Sequence, residues 1–344
     1  MILPSLSQTG PGIVARDLCS EFISMGHFCK IFYFDDIYGL ELPCDAVKIC
    51  SGNEIVIENW DIIHSHGFRP DQFVYKKLYK SSSRKCKFIS TIHQPIDFKA
   101  LHQTYNISKS IIGSLLWKKY LTVFDNIVVL NSDTQQKLPS NIIEKSSVIF
   151  NGRTFSSGSI DPDDEYLLKK ITQKYKVIGT VSSITKRKGL EQIVKALPYL
   201  EDFAFVAIGD GDQKRKLEDL AKKLGVENRC IFLGYRSNST DYLIYFDKFI
   251  MCTRSEGFPL ALIEAASQGL PTILSDISIL KAIVSPYIVD FYHLDNMNSL
   301  ITTIKNSDSN KGVKLKDFYN SYLTARCMAE SYIKLYSTSN YKTN

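Results

Sequence analysis

The apolar residues of this chain gather in short, nearly continuous runs set between longer amphipathic stretches. Such runs, bounded by turn residues, read as buried strands. In the first half they fall at 1–6, 28–34, 61–67, 88–95, 126–130 and 147–150. In the second half they fall at 176–181, 203–208, 230–235, 249–253 and 270–274. The intervening stretches carry helical spacing. Ile13, Val14, Leu18, Phe22 and Ile23 give one face after Thr9-Gly10-Pro11-Gly12, and Gly26 ends it. Further helical patterns run over 99–121, from Asp212 to Leu224, from Pro259 to Gly269, and from Tyr322 to Tyr336. Strand and helix alternate in both halves, which predicts an α/β protein with two doubly wound, Rossmann-like sheets. Residues 154–164 are rich in Ser, Gly, Pro and Asp and read as the linker. No repeat of solenoid period is present.

A length of 344 residues suits two domains. No apolar run approaches the roughly 18 residues needed to span a bilayer. The start, Met1-Ile2-Leu3-Pro4-Ser5-Leu6, has no basic segment and no long apolar core, so it reads as a first strand and not a signal peptide. The eight cysteines show no C-x-x-C pair, and Cys29, Cys86, Cys230 and Cys252 fall in strand-like runs. This points to a reducing cytoplasm and no metal cluster.

The net charge of +6 is unevenly spread. Between Arg69 and Lys119 lie Arg69, Lys76, Lys77, Lys80, Arg84, Lys85, Lys87, Lys99, Lys109, Lys118 and Lys119, opposed only by Asp71 and Asp97. A basic face of this kind suits an anionic partner. No nucleic-acid motif accompanies it, so nucleic acid is not expected. The cytoplasmic face of a membrane is the favoured alternative to a merely solvated face. Within this region the pattern at 99–121, with Ile111, Ile112, Leu115, Leu116 and Trp117, reads either as a membrane-lying helix with an interfacial Trp or as a surface helix packed on the core.

The densest chemistry lies in Arg254–Asp276, R-S-E-G-F-P-L-A-L-I-E-A-A-S-Q-G-L-P-T-I-L-S-D. Pro259 suits the first turn of a helix, and Gly269 and Pro271 close it. Glu256 then lies in the loop before the helix and Glu264 in its second turn. Free amides at the helix start carry partial positive charge. The stretch reads as a site for an anion bearing hydroxyls, with Gly257, Phe258, Pro259 and Leu260 in its wall. Upstream, Ser182-Ser183-Ile184-Thr185-Lys186-Arg187-Lys188-Gly189 joins a strand to a helix, and such a basic loop can clamp a diphosphate. Gly209-Asp210-Gly211-Asp212 reads as a strand-to-helix turn with a helix cap. Asp161-Pro162-Asp163 lies in the linker and reads as a turn. In the first half, His64, His66 and His93 stand at the ends of two strands, where open parallel sheets bind ligands. A zinc site finds no fourth ligand with convincing spacing.

These motifs, in this order, resemble the retaining glycosyltransferases of family four, of the group 1 type, which carry out bacterial surface-polysaccharide synthesis among other reactions. The family pattern of two Glu separated by seven residues, with G-F-P after the first and E-A at the second, fits Glu256, Gly257, Phe258, Pro259, Glu264 and Ala265. Lys188-Gly189, the G-x-G turn at Gly209, the D-I-x-H-x-H run at Asp61, the T-x-H run at Thr91, Gly10 with Gly12, and Asn151-Gly152 also fit. The resemblance implies a GT-B fold, with two Rossmann-like domains facing a cleft. It places an acceptor-side domain at 1–153, a nucleotide-sugar-binding domain at 165–321, and a terminal helix near 322–338 that packs back on the first.

The implied reaction moves a hexose-type sugar from a nucleotide diphosphate sugar to a saccharide or lipid-linked saccharide, with retention. The implied catalytic residues are Glu256, His93 and Lys188. The implied donor-binding residues are Gly10, Gly12, Arg187, Lys188, Tyr235, Arg236, Glu256, Gly257, Phe258, Pro259, Leu260 and Glu264. Neither a metal nor another cofactor is expected. The sequence departs from the family at Ser183, where an Arg is expected; Lys186 or Arg187 would have to supply that charge. A nucleotide-sugar epimerase or phosphorylase on the same fold, and a non-catalytic nucleotide-sugar- or polyanion-binding protein, are the alternatives.

Overall fold

The apolar runs of the first half pair into one parallel sheet. Its strands are β1 (Ile2–Ser5), β2 (Ile31–Asp35), β3 (Ala46–Lys48), β4 (Ile62–His66), β5 (Lys87–Ile92), β6 (Asn126–Val129) and β7 (Ser146–Val148). They lie in the order β3-β2-β1-β4-β5-β6-β7. The runs of the second half form β8 (Lys176–Val181), β9 (Phe203–Ile208), β10 (Cys230–Gly234), β11 (Lys248–Met251), β12 (Thr272–Ser275) and β13 (Asp290–Tyr292), in the order β10-β9-β8-β11-β12-β13. Every strand pairing in both sheets is parallel. The structure is a computed structural model that describes residues 1–79, 86–97 and 107–338. One unit comprises Met1–Thr154 with the chain from Tyr322 onward, and the other comprises Phe155–Ser321.

Parallel sheets are covered on both faces, which is why their strands read as unbroken apolar runs. All six residues of β9, Phe-Ala-Phe-Val-Ala-Ile, are buried. Phe205, Ile178, Ile250 and Ile273 from neighbouring strands share one core with Ile193, Leu197 and Leu217. In the first unit Phe88, Ile127 and Ile63 pack with Trp117 and Leu121. The short edge strands β3 and β13 have no strong apolar run and were not predicted.

The helix Gly10–Ser24 follows β1 and ends before Gly26, whose φ of +87° needs glycine. The C-terminal helix Ala325–Thr338 packs against it. Gly152 is where the returning chain crosses. A Cβ there would lie 2.1 Å from the Thr324 carbonyl oxygen. The Arg153 N–H donates to the Leu323 carbonyl at 2.9 Å.

Several expectations are corrected. Trp117 is not at an interface: it is 3% exposed, and its Nε1–H donates to Asp71 at 2.7 Å. The helix is described over Ile107–Leu121; Lys80, Arg84, Lys85, Lys99 and the start of the 99–121 pattern lie outside the described residues. Asp161 is more than a turn: its carboxylate accepts from the Asp163 N–H at 2.9 Å and caps the helix Pro162–Thr172. Residues 162–164 of the expected linker therefore belong to that helix. Asp212 caps nothing, since the next helix starts at Lys214 and Gln213 holds its cap position. Pro259 sits one residue earlier than expected, at the cap position of the helix Leu260–Ser267.

Candidate functional site

Strand order locates the first candidate site. In each sheet the order reverses beside the strand that enters first, between β1 and β4 and between β8 and β11. Ligands of open α/β sheets bind beyond the carboxyl ends of the strands at this reversal. In the second unit the loops leaving β8 and β11 meet there. The β8 loop carries Lys186–Lys188 in a single 3₁₀ turn. Gly189 ends the turn with φ +64°, and a Cβ there would lie 2.3 Å from the Cys252 carbonyl oxygen. Only glycine fits this close approach.

Arg254 ties the two loops together. Its N–H donates to the Arg187 carbonyl at 2.9 Å and its Nη1 to the Lys186 carbonyl at 2.9 Å. Its Nη2 pairs with Glu191 and Asp295. These contacts bring Lys188 Nζ to 2.6 Å from Glu256 Oε1, and Arg187 Nη1 to 3.3 Å from Glu256 Oε2. Arg187 Nη1 also donates to the Ser255 carbonyl at 2.5 Å. The Glu256 side chain is 6% exposed, so the pair is largely shielded from water. Two cations face one carboxylate, which leaves an excess positive charge. The amides of the helix Leu260–Ser267 begin four residues further on and add to it.

Glu264 sits in the second turn of that helix, 6% exposed, and accepts from Ser239 Oγ at 2.9 Å. Phe258 is buried, while Gly257 and Leu260 are half-buried. The helix closes as expected: Gly269 has φ +66°, and the Leu270 N–H reaches back to the Ala265 carbonyl at 3.1 Å. Gly209 and Gly211 support the β8 loop from below, since a Cβ on either would strike the Ser182 or Ile184 carbonyl oxygen, at 1.9 and 2.3 Å. Ser183 is exposed, and Arg187 of the same loop is the cation that joins Lys188 at Glu256. Lys186 is exposed, and its carbonyl accepts from Arg254.

Tyr235 and Arg236 follow the end of β10. Tyr235 is 61% exposed. Arg236 forms a two-pronged pair with Asp164, Nε to Oδ2 at 2.6 Å and Nη2 to Oδ1 at 3.0 Å. That pair fastens β10 to the helix Pro162–Thr172.

The remaining predicted residues belong to the first unit. Gly10 and Gly12 open the helix after β1; a Cβ on Gly10 would meet nothing within 4 Å, whereas one on Gly12 would lie 2.5 Å from the Ser7 carbonyl oxygen. Close by in the sheet, β4 ends at His66, and His93 follows β5. His66 Nδ1 and His93 Nε2 are 2.9 Å apart. His64 Nε2 bonds Thr91 Oγ1 at 2.7 Å, and its Nδ1 bonds the Tyr336 hydroxyl at 2.9 Å. Burial lowers all three imidazoles and holds them neutral, His93 at about 3. Among the described residues no group of His, Cys, Asp and Glu has metal-binding geometry.

Sequence reasoning missed Arg254 as the tie between loops, Ser239 beside Glu264, and the tyrosines behind His64. Tyr332 and Tyr336, four residues apart, share one helix face, and that spacing was the available signal. Ser239 carried none.

Comparisons with known proteins give the chain its relatives. Residues 168–311 match the family model described as "Glycosyl transferases group 1". Over 357 aligned residues the chain is 28% identical to the O-antigen biosynthesis glycosyltransferase WclY of Escherichia coli, covering 98% of this chain and 97% of that protein. It is 24% identical over 222 residues to the N-acetyl-alpha-D-glucosaminyl L-malate synthase of Bacillus anthracis, covering 63% of this chain and 56% of that protein. The Anabaena protein HepE, solved in complex with UDP and glucose, superposes with a TM-score of 0.79 at 14% identity over 98% of both chains. The lipopolysaccharide outer core galactosyltransferase WaaB in its apo form superposes with a TM-score of 0.71 at 16% identity, over 97% of this chain and 99% of that one. These structural likenesses establish the GT-B fold.

Proposed function

The chain is a glycosyltransferase with a group 1 domain at residues 168–311, and from that premise we propose that it moves a hexose-type sugar from a nucleotide diphosphate sugar to a saccharide or lipid-linked saccharide, with retention, in surface-polysaccharide synthesis. The observation that carries this reading is the convergence of Lys188 and Arg187 on the shielded Glu256 at the strand-order reversal. The acceptor reading is supported by the likeness to an O-antigen glycosyltransferase along nearly the whole chain.

In this reading the bond from the anomeric carbon to the diphosphate breaks, and negative charge grows on the departing phosphate oxygens. Lys188 and Arg187 meet that charge. A fixed, shielded cation such as Lys188 stabilises it without reorganising, and the more exposed Arg187 adds to it. Glu256 holds both side chains in place before the donor arrives. It then faces the donor sugar, where it orients a hydroxyl and opposes positive charge developing on the ring. Glu264, already oriented by Ser239, accepts from ribose hydroxyls. Gly257–Leu260 form the wall beside the helix start. Tyr235 supplies an exposed ring for the base, while Arg236 holds that segment through Asp164. Gly10 leaves room for close approach of substrate to the first unit, Gly12 lets the helix start pack on the Ser7 carbonyl beside it, and His93 contacts the acceptor. The cations that the chain itself provides make a metal unnecessary to this scheme.

A peripheral contact with an anionic membrane fits a lipid-linked acceptor. Ile107, Ile111, Ile112 and Leu115 are all exposed on the helix Ile107–Leu121, beside exposed Lys109 and Lys119. Among the described residues no helix is long and apolar enough to cross a membrane.

Incubating the purified protein with a panel of nucleotide sugars and lipid-linked saccharides tests the proposal. Transfer of sugar with an unchanged anomeric configuration, in buffer containing a chelator, is expected. Release of epimerised nucleotide sugar, phosphate-dependent cleavage, or donor binding without turnover on any acceptor would each defeat it.

A further inference from the structure

The histidine row of the first unit holds a proton whose position can be deduced. His64 and His66 lie on one face of β4, their ring centroids 4.2 Å apart, and His93 continues the row at 5.2 Å from His66 with the rings inclined by 25°. Both nitrogens of His64 are engaged, one by Thr91 and one by Tyr336. Thr91 Oγ1 is in turn 2.7 Å from the Tyr332 hydroxyl. The C-terminal helix thus clamps His64, and His64 backs the ring of His66.

His66 is 0% exposed. Its Nδ1 lies 2.9 Å from His93 Nε2, and its Nε2 is buried with no hydrogen-bond partner. Each neutral imidazole carries one N–H, and one proton occupies the bond between the two rings. If that proton belonged to His93, His66 would carry its own on Nε2, as a buried donor with nothing to receive it. If it belongs to His66 Nδ1, the orphaned Nε2 is a bare acceptor. Orphaned buried N–H groups are rarer than under-satisfied acceptors. The proton therefore sits on His66 Nδ1. His93 Nε2 accepts it, and the N–H of His93 is on Nδ1.

We propose that His66 is a positioning residue that locks His93 as the Nδ1–H tautomer, so that His93 meets a sugar oxygen as a neutral hydrogen-bond donor and not as a base. The tautomer follows from the histidine geometry and from the burial that keeps the rings neutral. Its use on a sugar rests on the glycosyltransferase reading.

Ring-nitrogen NMR of the full ¹⁵N-labelled chain tests the first part, with His66→Phe and His66→Asn as variants and thermal melting to check that they fold. Wild-type His93 is expected with a protonated Nδ1 and an accepting Nε2. His66→Phe removes the donor and shifts His93 toward Nε2–H. His66→Asn places an amide N–H near the position of the imidazole Nδ1 and retains the wild-type pattern. Nε2–H on His93 in the wild type, or an unaltered tautomer in a folded His66→Phe, would overturn the proposal. Kinetics test the second part. His66→Phe is expected to raise the acceptor KM about tenfold, the scale of one hydrogen bond, with rescue by His66→Asn and no change in donor KM. A shifted tautomer with an unchanged acceptor KM would overturn the role on sugar while leaving the tautomer assignment standing. Absence of any transfer by the wild type would instead overturn the glycosyltransferase reading.

Discussion

The ammonium of Lys188 lies 2.6 Å from the carboxylate of Glu256 across 68 residues of sequence. A lysine and a glutamate so placed hold each other in position. They also make the loop pair an electrostatic unit whose two cations exceed its one carboxylate.

Lys188→Ala is expected to lower kcat by about 10²-fold or more, the usual cost of removing a fixed stabiliser of transition-state charge. Arg187→Ala is expected to cost less, roughly tenfold, because water screens its more exposed side chain. Steady-state kinetics on folded variants would check both. Full turnover in Lys188→Ala would sink the assignment.

Glu264→Gln keeps the size of the side chain and its bond to Ser239 but weakens its acceptor strength. Donor affinity, measured by calorimetry with the nucleotide diphosphate, is expected to drop about tenfold. Ser239→Ala is expected to show a smaller loss in the same direction. Unchanged nucleotide affinity in both would remove Glu264 from the donor site.

Gly189→Ala places a Cβ against the Cys252 carbonyl in a left-handed conformation. The conformation alone costs about 1–2 kcal/mol. A lowered melting temperature together with lost activity is expected, since the Lys188 turn cannot keep its place. Ser183→Ala, on an exposed side chain of the same loop, serves as the silent control. Equal melting temperatures for the two variants would contradict this account.

Asp71 is 0% exposed, and burial pushes its carboxyl up to about 7, with Ser65 and Trp117 as donors that only partly offset the effect. Its folded value lies above its unfolded one. Its stabilising contribution is therefore fully present below about pH 4 and lost as pH rises through about 7. His64, His66 and His93, lowered by burial, act oppositely as pH falls through their unfolded value near 6.5. The informative quantity is thus the difference between Asp71→Asn and the parent. Asp71→Asn is expected to gain melting temperature relative to the parent as pH rises from about 5 to about 8. A constant difference would show that Asp71 does not titrate there.

What the chain determined by itself is mostly local. Strands covered on both faces must be continuously apolar, so β8 and β9 were legible residue by residue, whereas the short edge strands β3 and β13 were not. Helix ends were legible where one residue type meets a backbone need, as at Gly26 and Gly269. They were misread where the side chain turns elsewhere, as at Asp212. The stretch Arg254–Asp276 was legible as chemistry because its spacing is set within one loop and one helix.

Tertiary structure decided the rest. The pattern around Trp117 left a membrane-lying and a core-packed helix both open, and the Asp71 carboxylate opposite its N–H decided for Trp117, since no local pattern encodes a partner 46 residues away. Arg187 reaches Glu256 because Arg254 fastens the two loops, which approach each other since β8 and β11 are sheet neighbours. The histidines were visible as strand ends. Which of them carries its proton on which nitrogen depends on burial and on a single unpartnered atom, and those exist only once the sheet and the C-terminal helix have closed around them.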